Sequence, residues 1–112
     1  MKHFYDLNHD PFISISSGHK DIEMRLYDEK RKLIHPGDII VFEDNVEHNV
    51  IEVEVIALHV FPSFKELYEA FDKTRLGYEP NQEAHPDDML KYYSRERMNK
   101  YQVVGIEIRL IK

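Results

Sequence analysis

"GHKDIEMRL", residues Gly18 to Leu26, places an ammonium at Lys20, a carboxylate at Glu23 and a guanidinium at Arg25, with Ile22, Met24 and Leu26 alternating between them. A period of two is the signature of a strand, so the three apolar residues face one way and Asp21, Glu23 and Arg25 the other. One face builds a core and the opposite face lines something polar. Lys20 is out of register with Glu23 and Arg25, which puts it at the turn that begins the strand. Arg25 offers a fork of donors to a phosphate or a base edge, and Glu23 can accept from an exocyclic amine. The plain structural alternative is a Glu23–Arg25 ion pair, worth ~0–1 kcal/mol if exposed.

Working outward, "KHFYDLN" reads as a short first strand, and "HDPFISISSGHK" as a helix capped by Asp10, with Pro11 at its first position and Gly18 ending it left-handed. Beyond the charged strand, "DEKRKL" is a charged turn and "HPGD" a second turn leading into the strand "IIVFED". The long run "NVIEVEVIALHVF" alternates Val53, Val55 and Ala57 against Glu52, Glu54 and Ile56, as a strand with one wet face does. "PSFKELYEAFDK" reads as an amphipathic helix capped by Ser63, with Glu66 completing a capping box and Phe64, Leu67, Tyr68 and Phe71 on its core face. "TRLGYEPNQEAHPDD" is loop, "DDMLKYYSRERMNKY" one or two short helices, and "QVVGIEIRLI" a closing strand in which Gly105 marks a bulge or tight bend. About five to six strands with short helices between them predict an α+β domain, a small β-barrel with helices packed across it.

At 112 residues the chain is expected to be one domain, 1–112. With 42% hydrophobic and 32% charged residues it has a globular composition. No run approaches the ~20 apolar residues of a membrane span, and "MKHFYDLNHD" lacks the apolar stretch of a signal peptide, so a cytoplasmic location and no membrane partner are expected. The absence of cysteine excludes disulfides, thiolate metal sites and a cysteine nucleophile. The net charge of -6 is uneven: acidic residues dominate the first half, whereas 89–112 carries Lys91, Arg95, Arg97, Lys100, Arg109 and Lys112 against Glu96 and Glu107. Any contact with nucleic acid should therefore be local and selective, and the acidic half leaves room for a protein partner instead.

"SGHKDIEMRL", "IHPGDIIVF" after a charged turn, "FPSFKELY" after the long strand and "YYSRERMNKYQVVGIEIRL" at the end together resemble the ASCH domain family, relatives of the PUA domains, over nearly the whole chain. The similarity is greatest to compact bacterial members consisting of this domain alone. The resemblance implies a PUA-like barrel whose cleft binds RNA, a nucleotide or a modified nucleoside. Carried onto this chain, the cleft positions are Lys20, Glu23 and Arg25, with Tyr92, Tyr93 and Ser94 as further candidates; a tyrosine there can stack on an unpaired base. No cofactor and no metal are implied.

Some small members of the family are amidohydrolases that deacetylate acetylcytidine with a lysine, a threonine of the signature strand and a glutamate from a later loop. The matching residues are Lys20, Glu23 and Glu83. Glutamate in place of threonine removes a hydroxyl nucleophile; a water attack, with Glu23 or Glu83 as base and Lys20 stabilising the oxyanion, is the form such chemistry would take. A second alternative is a cupin-like metal centre, since "PGDIIVFEDNVEHNV" resembles the second half of that motif. The first half, with paired histidines, does not occur, and His3, His9, His19, His35, His48, His59 and His85 are scattered, mostly beside turn residues, as exposed histidines are. "EKRK", Glu29 to Lys32, reads as a solvated turn, and "LGYEPNQEAHPDD" as a lid able to bring Tyr78 or Glu83 to a ligand.

Overall fold

A computed structural model describes residues 1–111. The chain runs β1 (Lys2–Leu7), α1 (His9–Ser16), β2 (Ile22–Leu26), β3 (Ile39–Asp44), β4 (Val50–Phe61), α2 (Phe64–Ala70), α3 (Arg95–Lys100) and β5 (Val103–Leu110). Short 3-10 turns occupy Arg31–Leu33, Lys73–Leu76 and Pro86–Lys91. Five strands form one curved sheet in the order β1-β3-β4-β5-β2, a half-barrel with the short helices packed across it; β1 runs parallel to β3 and the other neighbours are antiparallel. The fold is α+β, as the pattern of strands and short helices predicts. Among the described residues no helix is long and apolar enough to cross a membrane.

β4 is long enough to serve two neighbours. Its first half pairs with β3 from Val50 to Glu54, and most of its length from Val53 onward pairs with β5. Curvature comes from a bulge between Val55 and Ala57, where Ile56 is the extra residue. The bulge shifts the alternation: Val53 and Val55 are buried ahead of it, and beyond it Leu58 packs on the core. Gly105 is therefore not the bulge. It sits in regular register opposite Met24 and His59, and an added Cβ would lie 3.2 Å from Ile22 and 3.3 Å from Phe71. Its role is to let α2 and the following Phe71 approach the sheet.

Two apolar cores result. One gathers Phe12 and Ile15 of α1 with Ile40, Phe42, Val53 and Ile106 inside the curve of the sheet. The other packs Phe64 and Leu67 of α2 with Leu76 and Met89 against Ile22, Met24 and Leu26. Ile22, Met24 and Leu26 thus face the core, as their period requires.

Two helix caps differ from expectation. α1 starts at His9, one residue before Asp10, with Asn8 in the cap position but without a side-chain capping bond. Asn8 instead accepts from Asn45 Nδ2 at 2.8 Å, and Asp10 lies within the first turn. Gly18, at φ 81°, follows the helix in the left-handed region, as expected. Ser63 precedes α2 in an extended conformation, but its hydroxyl donates to the Glu66 carboxylate, so the capping box closes between side chains and leaves the first N–H groups uncapped by Ser63.

Candidate functional site

The residue before β2 is tied back to α1: the Lys20 N–H donates to the Ser14 carbonyl, and the Asp21 N–H donates to the Arg75 carbonyl. This brings the Lys20 side chain alongside the face of β2 that carries Glu23 and Arg25. Lys20 Nζ lies 3.0 Å from Glu23 Oε1, and Arg25 Nε donates to Glu23 Oε2 at 2.8 Å. All three are sequestered, with side-chain exposures of 7%, 5% and 15% for Lys20, Glu23 and Arg25. The Glu23–Arg25 ion pair of the plain alternative is present, but buried and extended by Lys20 into a chain of cation, anion and cation. Burial pushes the Glu23 carboxyl upward, but the adjacent Lys20 and Arg25 overcome it and hold it at about 2.

Gly77 makes room for this chain. The residue has φ +104°, a conformation that favours glycine, and a Cβ there would crowd Lys20 Cδ at 3.2 Å. The neighbouring Tyr78 is fixed at three points: its hydroxyl meets the Tyr68 hydroxyl at 2.9 Å and donates to Asp88 at 2.7 Å, and its carbonyl lies 3.2 Å from His19 Nε2. Burial raises the pKa of Tyr68 to about 12 and of Tyr78 further still, the latter also through its bonds to Tyr68 and Asp88. Both phenols are therefore neutral at physiological pH.

The buried chain lines a cavity of about 570 Å³ together with Asp10, Ser14, Tyr68, Tyr78, Tyr92 and Tyr93. This volume lies within the range of small-ligand sites. Tyr93 stacks on Phe64 with centroids 6.2 Å apart, while Tyr92 is half exposed. Of the residues expected from sequence, the fold brings Lys20, Glu23, Arg25, Tyr92 and Tyr93 to one cavity. Ser94 is not part of the lining; it caps α3 by accepting from the Arg97 N–H at 3.2 Å. Glu83 is exposed and does not line the cavity, although Gln82 does. Tyr78, the other residue expected from that loop, lines it.

Sequence reasoning assigned Tyr68 to the core face of α2 and so passed over its hydroxyl. It gives Asp10 a capping role in α1 and Ser14 none, and so passes over both as lining residues. A tyrosine on an apolar stripe, with its polar tip, was the available signal.

His35, His48 and His85 are exposed as expected, whereas His3, His9, His19 and His59 are partly buried. His3 pairs with Asp38 at 2.8 Å, with only 9% of its side chain exposed, and His59 pairs with Glu107 at 2.9 Å. His9, Asp44 and Glu47 place potential ligand atoms within 4.8 Å of one another. Asp44, however, is already committed to His9 Nδ1 at 2.7 Å and to the Val46 N–H at 3.0 Å.

A curved five-stranded sheet with one helix in its concavity and a charged strand lining a cleft defines a PUA-like domain. The chain belongs to the ASCH domain family, whose model matches residues 6–112. It is similar to the crystal structure of the hypothetical protein PH0355, at 38% identity, TM-score 0.84, and coverage of 99% of this chain and 100% of that one. It is also similar to the solution structure of protein PF0455 from Pyrococcus furiosus, at 34% identity, TM-score 0.71, and coverage of 100% and 99%. A mutant of ZmASCH from Zymomonas mobilis shares the fold at 13% identity and TM-score 0.69, with 96% of this chain matching 67% of that one. No curated protein matches the sequence significantly.

Proposed function

We propose that the chain is a binding module for RNA or a nucleotide-like ligand, held in the cavity lined by Lys20, Glu23 and Arg25. The observation that carries this reading is the buried triad inside a tyrosine-rimmed cavity. Such a site offers charged donors in fixed positions beside aromatic faces, the combination that suits a heteroaromatic base with polar edges. Glu23 consumes one donor of Lys20 and the Nε of Arg25, leaving further N–H groups of both for a ligand. Tyr92, half exposed at the rim, offers a face for stacking.

Amide-resolved NMR titration with a short structured RNA carrying an unpaired loop, and separately with nucleosides, tests the reading. Shifts are expected at residues 20–25 and at Tyr92 and Tyr93. They should weaken in Arg25→Ala and in Tyr92→Ala, the second changing an exposed side chain and leaving the triad whole. A spectrum unmoved by all these ligands overturns the reading.

The hydrolase alternative draws on the same cavity through Lys20 and has less behind it. Glu83 does not line the cavity, and a carboxylate held at about 2 with both oxygens accepting from cations is a poor proton acceptor at neutral pH. Acetylcytidine incubated for hours with enzyme-like concentrations of the protein is expected to remain intact; acetate release above the uncatalysed rate would reverse the preference.

A further inference from the structure

We propose that a second cavity, on the other side of Arg25, is a phosphate subsite, so that the cleft takes a phosphorylated ligand, a nucleotide or an RNA strand, and not a bare nucleoside. The inference rests on the reading of the first cavity as a nucleoside-type site. The second cavity, about 500 Å³, shares Asp6 and Arg25 with the first. Arg25 Nη2 donates to the Asp6 carbonyl at 3.3 Å, so this contact lies where the two cavities adjoin. A ligand seated against the triad passes Arg25 to reach the second space.

Three cations converge there on the Tyr5 ring: Lys30 Nζ at 4.6 Å from its centroid, Arg31 Cζ at 4.8 Å and Arg25 Cζ at 5.6 Å. The carboxylates of the lining are Asp6 and Glu43, and Glu43 is engaged with His48 at 2.9 Å. The Arg31 guanidinium meets Asp28 through Nη1, at 3.3 Å, while the Arg31 backbone N–H donates to the other Asp28 oxygen at 3.0 Å, and Lys30 has no carboxylate within 4.0 Å among the described residues.

The decisive observation is the pair of unpartnered groups. Among the described residues, the buried side-chain polar atoms without a hydrogen-bond partner are Tyr5 Oη and Arg31 Nε, and both residues line this cavity. Tyr5 is only 6% exposed, and its burial raises the phenol pKa, so the hydroxyl is a donor. Two buried donors without acceptors are an unusual expense in a folded chain, and an oxyanion relieves both. A phosphate accepts from the Arg31 fork, from Tyr5 and from the Lys30 ammonium, which exchanges its contact with the Tyr5 ring for an ion pair. The "EKRK" cluster, read from sequence as a solvated turn, thereby contributes two of the three cations, because the turn folds against β1.

Titration calorimetry and NMR with a nucleoside, its 5′- and 3′-monophosphates, a short single-stranded oligoribonucleotide and inorganic phosphate test this. At least one monophosphate should bind about tenfold or more tightly than the nucleoside, the scale of one charge-assisted contact. Lys30→Ala, at an exposed position, should reduce that advantage severalfold and leave nucleoside affinity unchanged; Arg31→Lys, which keeps the charge but loses the fork, should also reduce it. Equal affinity for nucleoside and both monophosphates, with Tyr5, Lys30 and Arg31 unmoved by every phosphate-bearing probe, overturns the proposal. If nucleosides fail to bind while inorganic phosphate moves those three residues, the reading of the first cavity falls and the subsite stands. An oligonucleotide that binds no tighter than the best monophosphate identifies a nucleotide; one that binds tenfold tighter identifies a strand.

Discussion

Glu23 holds two cations together in a place water scarcely reaches, and removing its charge leaves both of them uncompensated. Breaking a buried ion pair from one side typically costs about 3–5 kcal/mol. Glu23→Gln should therefore lower the urea midpoint by an amount corresponding to about that loss, far more than a typical surface substitution. The same residue sets an acid response. Its carboxyl lies below its ordinary 4.5, at about 2, so the ionised group contributes stability that is fully present above the ordinary value and is lost as the pH falls from there through about 2. Wild-type stability should drop across that window, and the drop should be shallower in Glu23→Gln; parallel acid limbs in the two proteins would show that the carboxylate is not held as the geometry requires. The residue types of the site were plain in the sequence, since an alternating strand displays its charges. Their burial was not, because much of the cover comes from Gly77 and Tyr93, far along the chain.

At the scale of elements, the two glycines that admit α2 and Lys20 are the points where geometry is tightest. Gly105→Ala would press a methyl group toward Ile22 and Phe71 at 3.2–3.3 Å, and overpacking of this kind costs about 1–3 kcal/mol. Gly77→Ala combines a left-handed φ, worth about 1–2 kcal/mol against an L-residue, with contact on Lys20 Cδ at 3.2 Å. Both variants should unfold at lower denaturant concentration. Gly77→Ala should shift the NMR signals of the Lys20 side chain most, and Gly105→Ala those of Ile22 and Phe71; equal disturbance of the Lys20 side chain by Gly105→Ala would contradict the separation of their roles. The elements themselves were legible from periodicity and turn residues. What periodicity missed was local and physical: a bulge at Ile56 that hands core packing to Leu58, a helix starting before Asp10, and a serine that prefers a glutamate side chain to its own helix N–H groups. Each is a competition between near-equal hydrogen bonds, which residue type alone does not decide.

At the scale of the whole molecule, the sheet ends in two strands, β1 and β2, that are remote in sheet order, and the Arg25 guanidinium reaches across the gap between them to the Asp6 carbonyl. That gap is why cavities lie on both sides of Arg25, and it was invisible in the sequence because it depends on which strands are left without a neighbour. A net charge of -6 repels a polyanion at long range, so any RNA held here must be held by few cations. If the phosphates of a single strand engage Arg25, Lys30 and Arg31, about three counterions are displaced, and log affinity should fall with log salt at a slope near -2, from about -0.7 per contact. Lys30→Ala should bring the slope closer to zero by about 0.7 without changing the preference among bases. A slope several times steeper would mean that the basic stretch from Lys91 onward coats the backbone and that the cleft is secondary. A flat line would mean that the physiological ligand carries no phosphate at these positions, leaving the triad cavity to serve a neutral nucleoside.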